Sequence, residues 1–324
     1  MTGATGFVGS HLVEALASHD VRVRALVRRT SDVAALARLG VERVEGGLED
    51  GAALARAMEG ADVVFHLAAM TRARSAAEYE RVNAGGTRAV VAAATAADPR
   101  PRRLVYLSSL AAVGPSLDGR PVGADEAPRP LTAYGRTKLA GERACLAARD
   151  ILDVVVLRAP AVYGPRDREL LRMFRLAAWG ILPVPAGPVR RVQLIHVADL
   201  ARALICAASA AAATGVYHAA EARAYGWAEV ADLIGRAVGR PARQVRVPAS
   251  LVHIAAAMSE WTAALRGRTT LFNREKAREL LAPGWLCETD ALRRDTGFEA
   301  QIPLPEGLRT TAAWYRAQHW LRDR

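Results

Sequence analysis

The sequence predicts an α/β protein organised around an open parallel sheet. Apolar runs of strand length alternate with helical periods through the first half of the chain. Two strand ends carry small or hydroxyl residues, Ala68-Ala69 and Ser108-Ser109, at the edge where open parallel sheets bind ligands. Gly3, Gly6 and Gly9 form a GxxGxxG loop that opens an amphipathic helix and is followed by a strand.

The glycine loop allows a tight turn and a close approach of backbone to a pyrophosphate, with the helix N-terminus supplying N–H groups. The helix is expected over 8–18, with Leu12, Val13 and Leu16 on one side, and a strand over 21–27. Such a loop normally follows a central strand, yet only Met1 and Thr2 precede Gly3, too few for a strand of ~5 residues. The first strand is therefore expected to be truncated, and the native chain to begin several apolar residues earlier. Arg28 and Arg29 close the strand that follows. An acidic residue there would accept from the adenosine ribose of NAD; an arginine holds the 2′-phosphate of NADP.

A helix over 33–39, a strand over 41–44, a helix over 52–58 and a strand over 63–67 continue the alternation. Small residues at the end of that last strand let a flat ring approach, and His66 within it reads as a packed core histidine. A long helix is expected over 78–97, containing Asn83-Ala-Gly-Gly-Thr87, then a strand over 103–107. The Gly/Pro-rich stretch 114–130 reads as a flap. A helix carrying Tyr134 follows, then a strand over 154–157 and Arg158-Ala-Pro-Ala-Val-Tyr-Gly-Pro165.

Beyond 166 the alternation is less regular and prolines are frequent. His196-Val-Ala-Asp199 opens a helix, with Asp199 a carboxylate favoured by the helix dipole. The apolar helix 250–265, with Trp261, could line a greasy pocket, but packing as core is the preferred expectation. The tail 305–324 reads as an aromatic-rich helix.

Tyr134-Gly-Arg-Thr-Lys138 stands out by composition. The chain has 44 Lys plus Arg, but its lysines are Lys138 and Lys276 alone. A lysine kept against that bias does something that the wide, always-charged arginine fork does not. Tyr134 lies four residues earlier, so both side chains share a helix face. A nearby ammonium favours the phenolate and is expected to draw the phenol toward neutrality, giving a general acid/base.

The chain's 324 residues suffice for one large or two modest domains. A 51% hydrophobic and 24% charged composition is that of a globular protein. Net charge is +11, but the arginines are scattered, with no basic run interleaved with aromatics, which argues against nucleic acid and for an anionic small ligand. Cys145, Cys206 and Cys287 form no ligand-spaced pair, so no metal site is expected; a reducing cytoplasm fits. No apolar run is long enough to span a bilayer.

The order of parts resembles the extended short-chain dehydrogenases, the NAD-dependent epimerase/dehydratase family. The resemblance rests on the glycine loop, the HLAA strand end, Asn-x-x-Gly-Thr, strand-end Ser-Ser, YxxxK, and R-x-x-x-V-Y-G-P followed by I-H-V-x-D-L. It implies a Rossmann-type doubly wound parallel sheet over 1–165. A smaller α+β substrate lobe follows over 166–324, with segments returning to the first domain. It also implies a triad of Ser109, Tyr134 and Lys138. Ser109 is preferred to Ser108 because the family's hydroxyl lies five residues before a glycine, here Gly114. The residues implied for NAD(P) are Gly3, Thr5, Gly6, Phe7, Val8, Arg28, Leu48, Leu67, Ala68, Ala69, Tyr134, Lys138, Pro160 and Val162.

Departures from the family pattern narrow the chemistry. Leu110-Ala111 replace the Asp-Glu of the dehydratases, which argues against dehydration. Ala161 stands where many sugar-nucleotide enzymes have Asn. Gly46-Gly47-Leu48 replaces Gly-Asp-Leu, leaving Leu48 to pack on the adenine. The C-terminal lobe is similar to members acting on steroid-like or other apolar alcohols and ketones. The expected function is hydride transfer at a secondary alcohol or ketone, with NADP preferred to NAD. A nucleotide-sugar epimerase and a non-catalytic NAD(P) sensor are the alternatives. Expected partners are the small-molecule substrate and, for a homodimer, a second copy of the chain.

Overall fold

The structure, a computed structural model, describes residues 1–266, 270 and 272–321. Its main sheet is parallel, with strands β1 (Arg24–Val27), β2 (Glu42–Glu45), β3 (Val63–His66), β4 (Arg103–Ser109) and β5 (Asp153–Ala159). β1 pairs with β2, β3 with β4 and β4 with β5, all parallel. Thr2 bridges the two halves, paired in parallel with Leu26 of β1 and His66 of β3. Its amide donates to Phe65 O at 2.9 Å, and Leu26 N donates to Met1 O at 2.9 Å. The glycine loop follows at once, so it starts from the middle of the sheet.

Side chains alternate across the sheet as the pleat requires. Val105, Val155 and Leu157 pack on one face with Leu12 and Leu16. Leu104, Tyr106, Val154 and Val156 pack on the other with Leu54, Met58 and Val90. Burial on both faces is why these strands read as continuous apolar runs. The covering helices begin with α1 (Phe7–Leu16), α2 (Ala34–Arg38) and α3 (Gly51–Met58), the last capped by Asp50, which accepts from Ala53 N at 2.9 Å.

The helix expected over 78–97 is not uniform. It runs as α4 (Ala76–Tyr79), a π-helical turn (Glu80–Gly85) and α5 (Gly86–Ala96). Asn83 explains the wider turn: its side-chain amide exchanges hydrogen bonds with Met70 N and O at 2.7 and 3.0 Å. Gly85 and Gly86 lower helix propensity there, and a Cβ on Gly86 would lie 2.6 Å from Leu48 Cδ1.

After β4 come α6 (Leu110–Val113) and α7 (Ala133–Leu146). The intervening 114–130 segment is fastened rather than free. Ser116 N donates to Gly284 O, and Val122 N to Leu286 O, each at 2.9 Å. Strands β6 (Ala161–Tyr163), β7 (Ile181–Pro185), β8 (Arg191–Val192), β9 (Leu194–His196), β10 (Gly215–His218), β11 (Tyr225–Gly226), β12 (Arg243–Val247) and β13 (Gly284–Trp285) follow. β10 returns to the main sheet, parallel to β5; β6 pairs with β9 and β7 with β12. β8 lies between β11 and β13.

The remaining helices are α8 (Leu171–Ala178), α9 (Val197–Ser209), α10 (Trp227–Ala237), α11 (Ala249–Leu265), α12 (Arg274–Leu281), α13 (Asp290–Thr296) and α14 (Leu304–Ala317). A second core joins Phe174, Leu182, Ile234, Leu308 and Tyr315. Asp199, in the first turn of α9, is buried and accepts from Gln301 N and Ile302 N at 3.0 and 2.8 Å. The tail helix expected to 324 ends at Ala317, and 322–324 lie outside the described residues.

One expectation is overturned. The apolar helix 250–265, read as core, is α11, and it buries only Val252 and Ala256. Leu251, Ile254, Met258, Trp261 and Leu265 are between 53% and 67% exposed. Helix apolarity alone does not say which side is covered; here α12, with Val247 and Phe272, packs against a narrow side.

Candidate active site

A cleft of about 1030 Å³ opens over the carboxyl ends of β3, β4 and β5. Its floor is the glycine loop. Gly3 has φ +76°, and a Cβ there would lie 2.7 Å from Ala68 N. A Cβ on Gly9 would lie 2.0 Å from Gly3 O. Both positions therefore demand glycine. Gly6 caps α1 with no side chain bonded to the first turn, and that turn carries no acidic residue. Free N–H groups at a helix N-terminus, approached by bare backbone, suit a pyrophosphate. The residues present fit a dinucleotide.

Ser109 ends β4, and its Oγ accepts from Ala111 N at 3.1 Å. Tyr134 sits in the first turn of α7, whose cap Thr132 accepts from Gly135 N at 3.1 Å. One helical turn on, Lys138 is buried; its Nζ donates to Leu107 O at 2.6 Å and lies 4.1 Å from the Tyr106 ring centroid. A further turn on, Glu142 accepts from Arg158 at 2.8 Å and from the Ser108 hydroxyl. One side of α7 thus carries a phenol, an ammonium and a paired carboxylate in sequence.

The electrostatics differ from the expectation drawn from spacing. Burial pushes the Tyr134 phenol well above its ordinary value, and Glu279 adds to this; a hydrogen bond with Ser109 opposes both. Burial draws the Lys138 ammonium down to about 8, with Glu142 opposing. The dry cleft floor outweighs the charge four residues away. Tyr134 is a protonated phenol at neutral pH.

Gly3, Thr5, Gly6, Phe7, Val8, Leu67, Ala69, Ser109, Tyr134, Lys138, Pro160 and Val162 all line this cleft. Arg28, Leu48 and Ala68 do not. Arg28 is exposed just beyond β1, Leu48 packs over Gly86, and the Ala68 backbone faces Gly3. His66 is buried, bonded through both ring nitrogens to Thr2 and Thr87 hydroxyls at 2.7 and 2.9 Å, as a core histidine would be. The 114–130 segment, expected as a flap, does not line the cleft.

The cleft is instead lined by α12, through Glu275, Lys276, Glu279 and Leu280, a role that sequence reasoning did not assign. Glu275 accepts from Ala133 N at 2.8 Å, and Glu279 from the Thr132 hydroxyl at 3.3 Å. Lys276 bonds Glu279 at 3.0 Å. A usable signal was present: both lysines of this Arg-rich chain line the same cleft. The outer wall adds Trp227, Trp285 and Trp320. Among the described residues no cluster of ligating side chains could hold a metal, and no helix is long and apolar enough to cross a membrane.

Residues 1–221 match the model of the NAD dependent epimerase/dehydratase family. The chain is 36% identical to a ceramide reductase of Caulobacter vibrioides over 99% of its own length and 95% of the relative's. It is 32% identical to a 2-alkyl-3-oxoalkanoate reductase of Stenotrophomonas maltophilia, over 97% and 98%. The solved structure of MoeE5 in complex with UDP-glucose and NAD superposes with a TM-score of 0.76 at 27% identity, covering 98% of both chains.

Proposed function

Because the chain belongs to the NAD-dependent epimerase/dehydratase family and is an oxidoreductase/epimerase of the extended short-chain dehydrogenase type, we propose that it reduces a ketone on an apolar, long-chain substrate. The observation that carries this reading is the meeting of Ser109, Tyr134 and Lys138 in one cleft floored by a glycine cradle.

Gly3, Thr5, Gly6, Phe7 and Val8 would hold the dinucleotide's phosphates, and Leu67, Ala69, Pro160, Val162 and Lys138 the nicotinamide end. When bound, the cofactor supplies the hydride. Tyr134 then gives its proton to the carbonyl oxygen as negative charge develops there. Ser109 orients the carbonyl and shares its hydrogen bond. Lys138 provides positive charge beneath the phenol and steadies the phenolate left behind. A phenol protonated at neutral pH has a proton to give to the oxygen on which charge develops.

Two features support an apolar substrate over a nucleotide sugar. The cleft wall is rich in tryptophan. Among the described residues, three of its six cations are paired with carboxylates: Arg166 with Glu14, Arg72 with Glu169 and Lys276 with Glu279. A diphosphate would have to displace those carboxylates. The names of the two reductases, of ceramide and of a 2-alkyl-3-oxoalkanoate, point the same way, to substrates that carry alkyl groups. NADP is preferred to NAD, because Arg29 is paired with Glu45 whereas Arg28 has no ion pair among the described residues.

The test is oxidation of NADPH and NADH followed with a panel of long-chain 3-oxo compounds and nucleotide sugars. Tyr134→Phe should lose at least about 10²-fold in turnover, the usual share of a positioned proton donor, while still binding cofactor. Wild-type turnover in that variant would sink the mechanism.

A further inference from the structure

The face of α11 is used by nothing described so far. Leu251, Ile254, Met258, Trp261 and Leu265 recur at spacings of three and four, so they form one apolar stripe along the helix. Val252 and Ala256, the side that packs on Ala277 of α12, lie on the opposite side. All five stripe residues are more than half exposed, including a tryptophan. Clustering of large apolar side chains in this way marks an interaction site, whereas scattered ones do not.

We propose that α11 lies on an anionic lipid bilayer, with its stripe in the interface. Charge selects this occupant. From 240 to 266 the chain holds Arg240, Arg243, Arg246 and Arg266 against one carboxylate, Glu260. Arg243 and Arg246 are exposed just before the helix, and Arg266 is exposed just after it. Glu260 lies off the stripe and faces Arg274 at 3.6 Å. An apolar stripe flanked by arginines, with tryptophan near one end, is the pattern of a helix lying in the plane of a membrane surface. A second copy of the chain suits the patch less well. Two such faces would bring like charges together, and five side chains are few beside the ~800 Å² per partner of a standard interface.

The docking itself does not depend on the substrate reading. Its consequence does: α11 packs on α12, whose Glu275 and Glu279 stand at the cleft mouth. Resting on the proposed apolar substrate, the arrangement would hold the cleft close to the bilayer in which such a substrate dissolves.

The test is co-flotation of the full chain with vesicles of phosphatidylglycerol and phosphatidylcholine in equal parts, against pure phosphatidylcholine. Wild type should float with the anionic vesicles only. Met258→Ser with Trp261→Ser should weaken binding by at least about tenfold. Arg243→Gln with Arg246→Gln should weaken it by about 30-fold. Both variants alter exposed side chains and should keep wild-type melting temperature and activity on a water-soluble ketone, which tests the substrate reading separately. The proposal is overturned if wild type does not float, if it floats equally with both vesicles, or if light scattering shows a dimer that Trp261→Ser dissociates.

Discussion

The Glu275 carboxylate accepts the Ala133 amide at 2.8 Å, fastening α12 to the first turn of α7 one residue before Tyr134. That amide is among those a helix leaves unpaired at its start, and a carboxylate is well matched to that end of the dipole. Glu275→Ala should therefore loosen the cleft mouth and raise KM more than it lowers kcat. Glu275→Gln, which keeps an acceptor, should recover most of the loss. Steady-state kinetics of the two variants check this; an unchanged KM in Glu275→Ala would show that α12 does not shape the substrate site.

Gly9→Ala places a methyl 2.0 Å from Gly3 O and 2.7 Å from Gly3 C, both backbone atoms that can yield only by moving the loop. A loss of about 1–3 kcal/mol is expected, as for other overpacked sites. Cofactor affinity should fall with it. Thermal unfolding with and without NADPH measures both. A variant with normal stability and normal cofactor protection would mean the loop is not the phosphate cradle.

Arg28→Ala should weaken NADPH by roughly 1.5–3 kcal/mol, the range for hydrogen bonds to charged groups, and leave NADH nearly unaffected. Titration of each reduced cofactor against intrinsic fluorescence reads this directly. Equal losses for both would remove Arg28 from 2′-phosphate recognition.

Stability should fall in acid. Burial pulls His66 down to about 3 and His196 and His218 to about 4, so all three stay neutral in the fold. In the unfolded chain each takes a proton below about 6.5. The unfolded state thus binds more protons, and stability drops as pH falls through 6.5 toward 4, by about 1.4 kcal/mol per pH unit for each proton of difference. Asp167 acts with the opposite sign. Burial raises its carboxyl to about 6, so the fold binds that proton first, and its share of stability is lost as pH rises through about 6. The histidines outnumber it. Urea midpoints measured from pH 7 to 4.5 should decline, and His66→Gln should flatten the slope by about one proton. A flat profile would contradict the neutral, buried state of these rings.

Much of the architecture was legible because the central strands are buried on both faces. Val105 and Leu104 face opposite cores, and no polar alternation interrupts their run. The Tyr134–Lys138 pair was legible because helical pitch fixes residues four apart. Features that depend on a partner in space were not. The π-helical turn at Asn83 arises from its bonds to Met70, thirteen residues away. Glu275 and Glu279 acquire meaning only when α12 folds back on α7. The phenol's charge state could not be read from spacing, because burial opposes the ammonium and depends on what covers the cleft. The bareness of α11 had no sequence signature distinguishing it from a core helix, since both are apolar.

The stripe of α11 and the carboxylates of α12 lie within one uninterrupted stretch of chain, 249–281, whereas the phenol, ammonium and hydroxyl ride on α7 and β4. The block still reaches the chemistry, because Glu275 fastens the amide beside Tyr134 and Glu279 adds to the burial that raises its phenol. Under the proposed function, exchange of that block between relatives is expected to alter substrate admission and the acidity of Tyr134 together, without the sheet being redesigned.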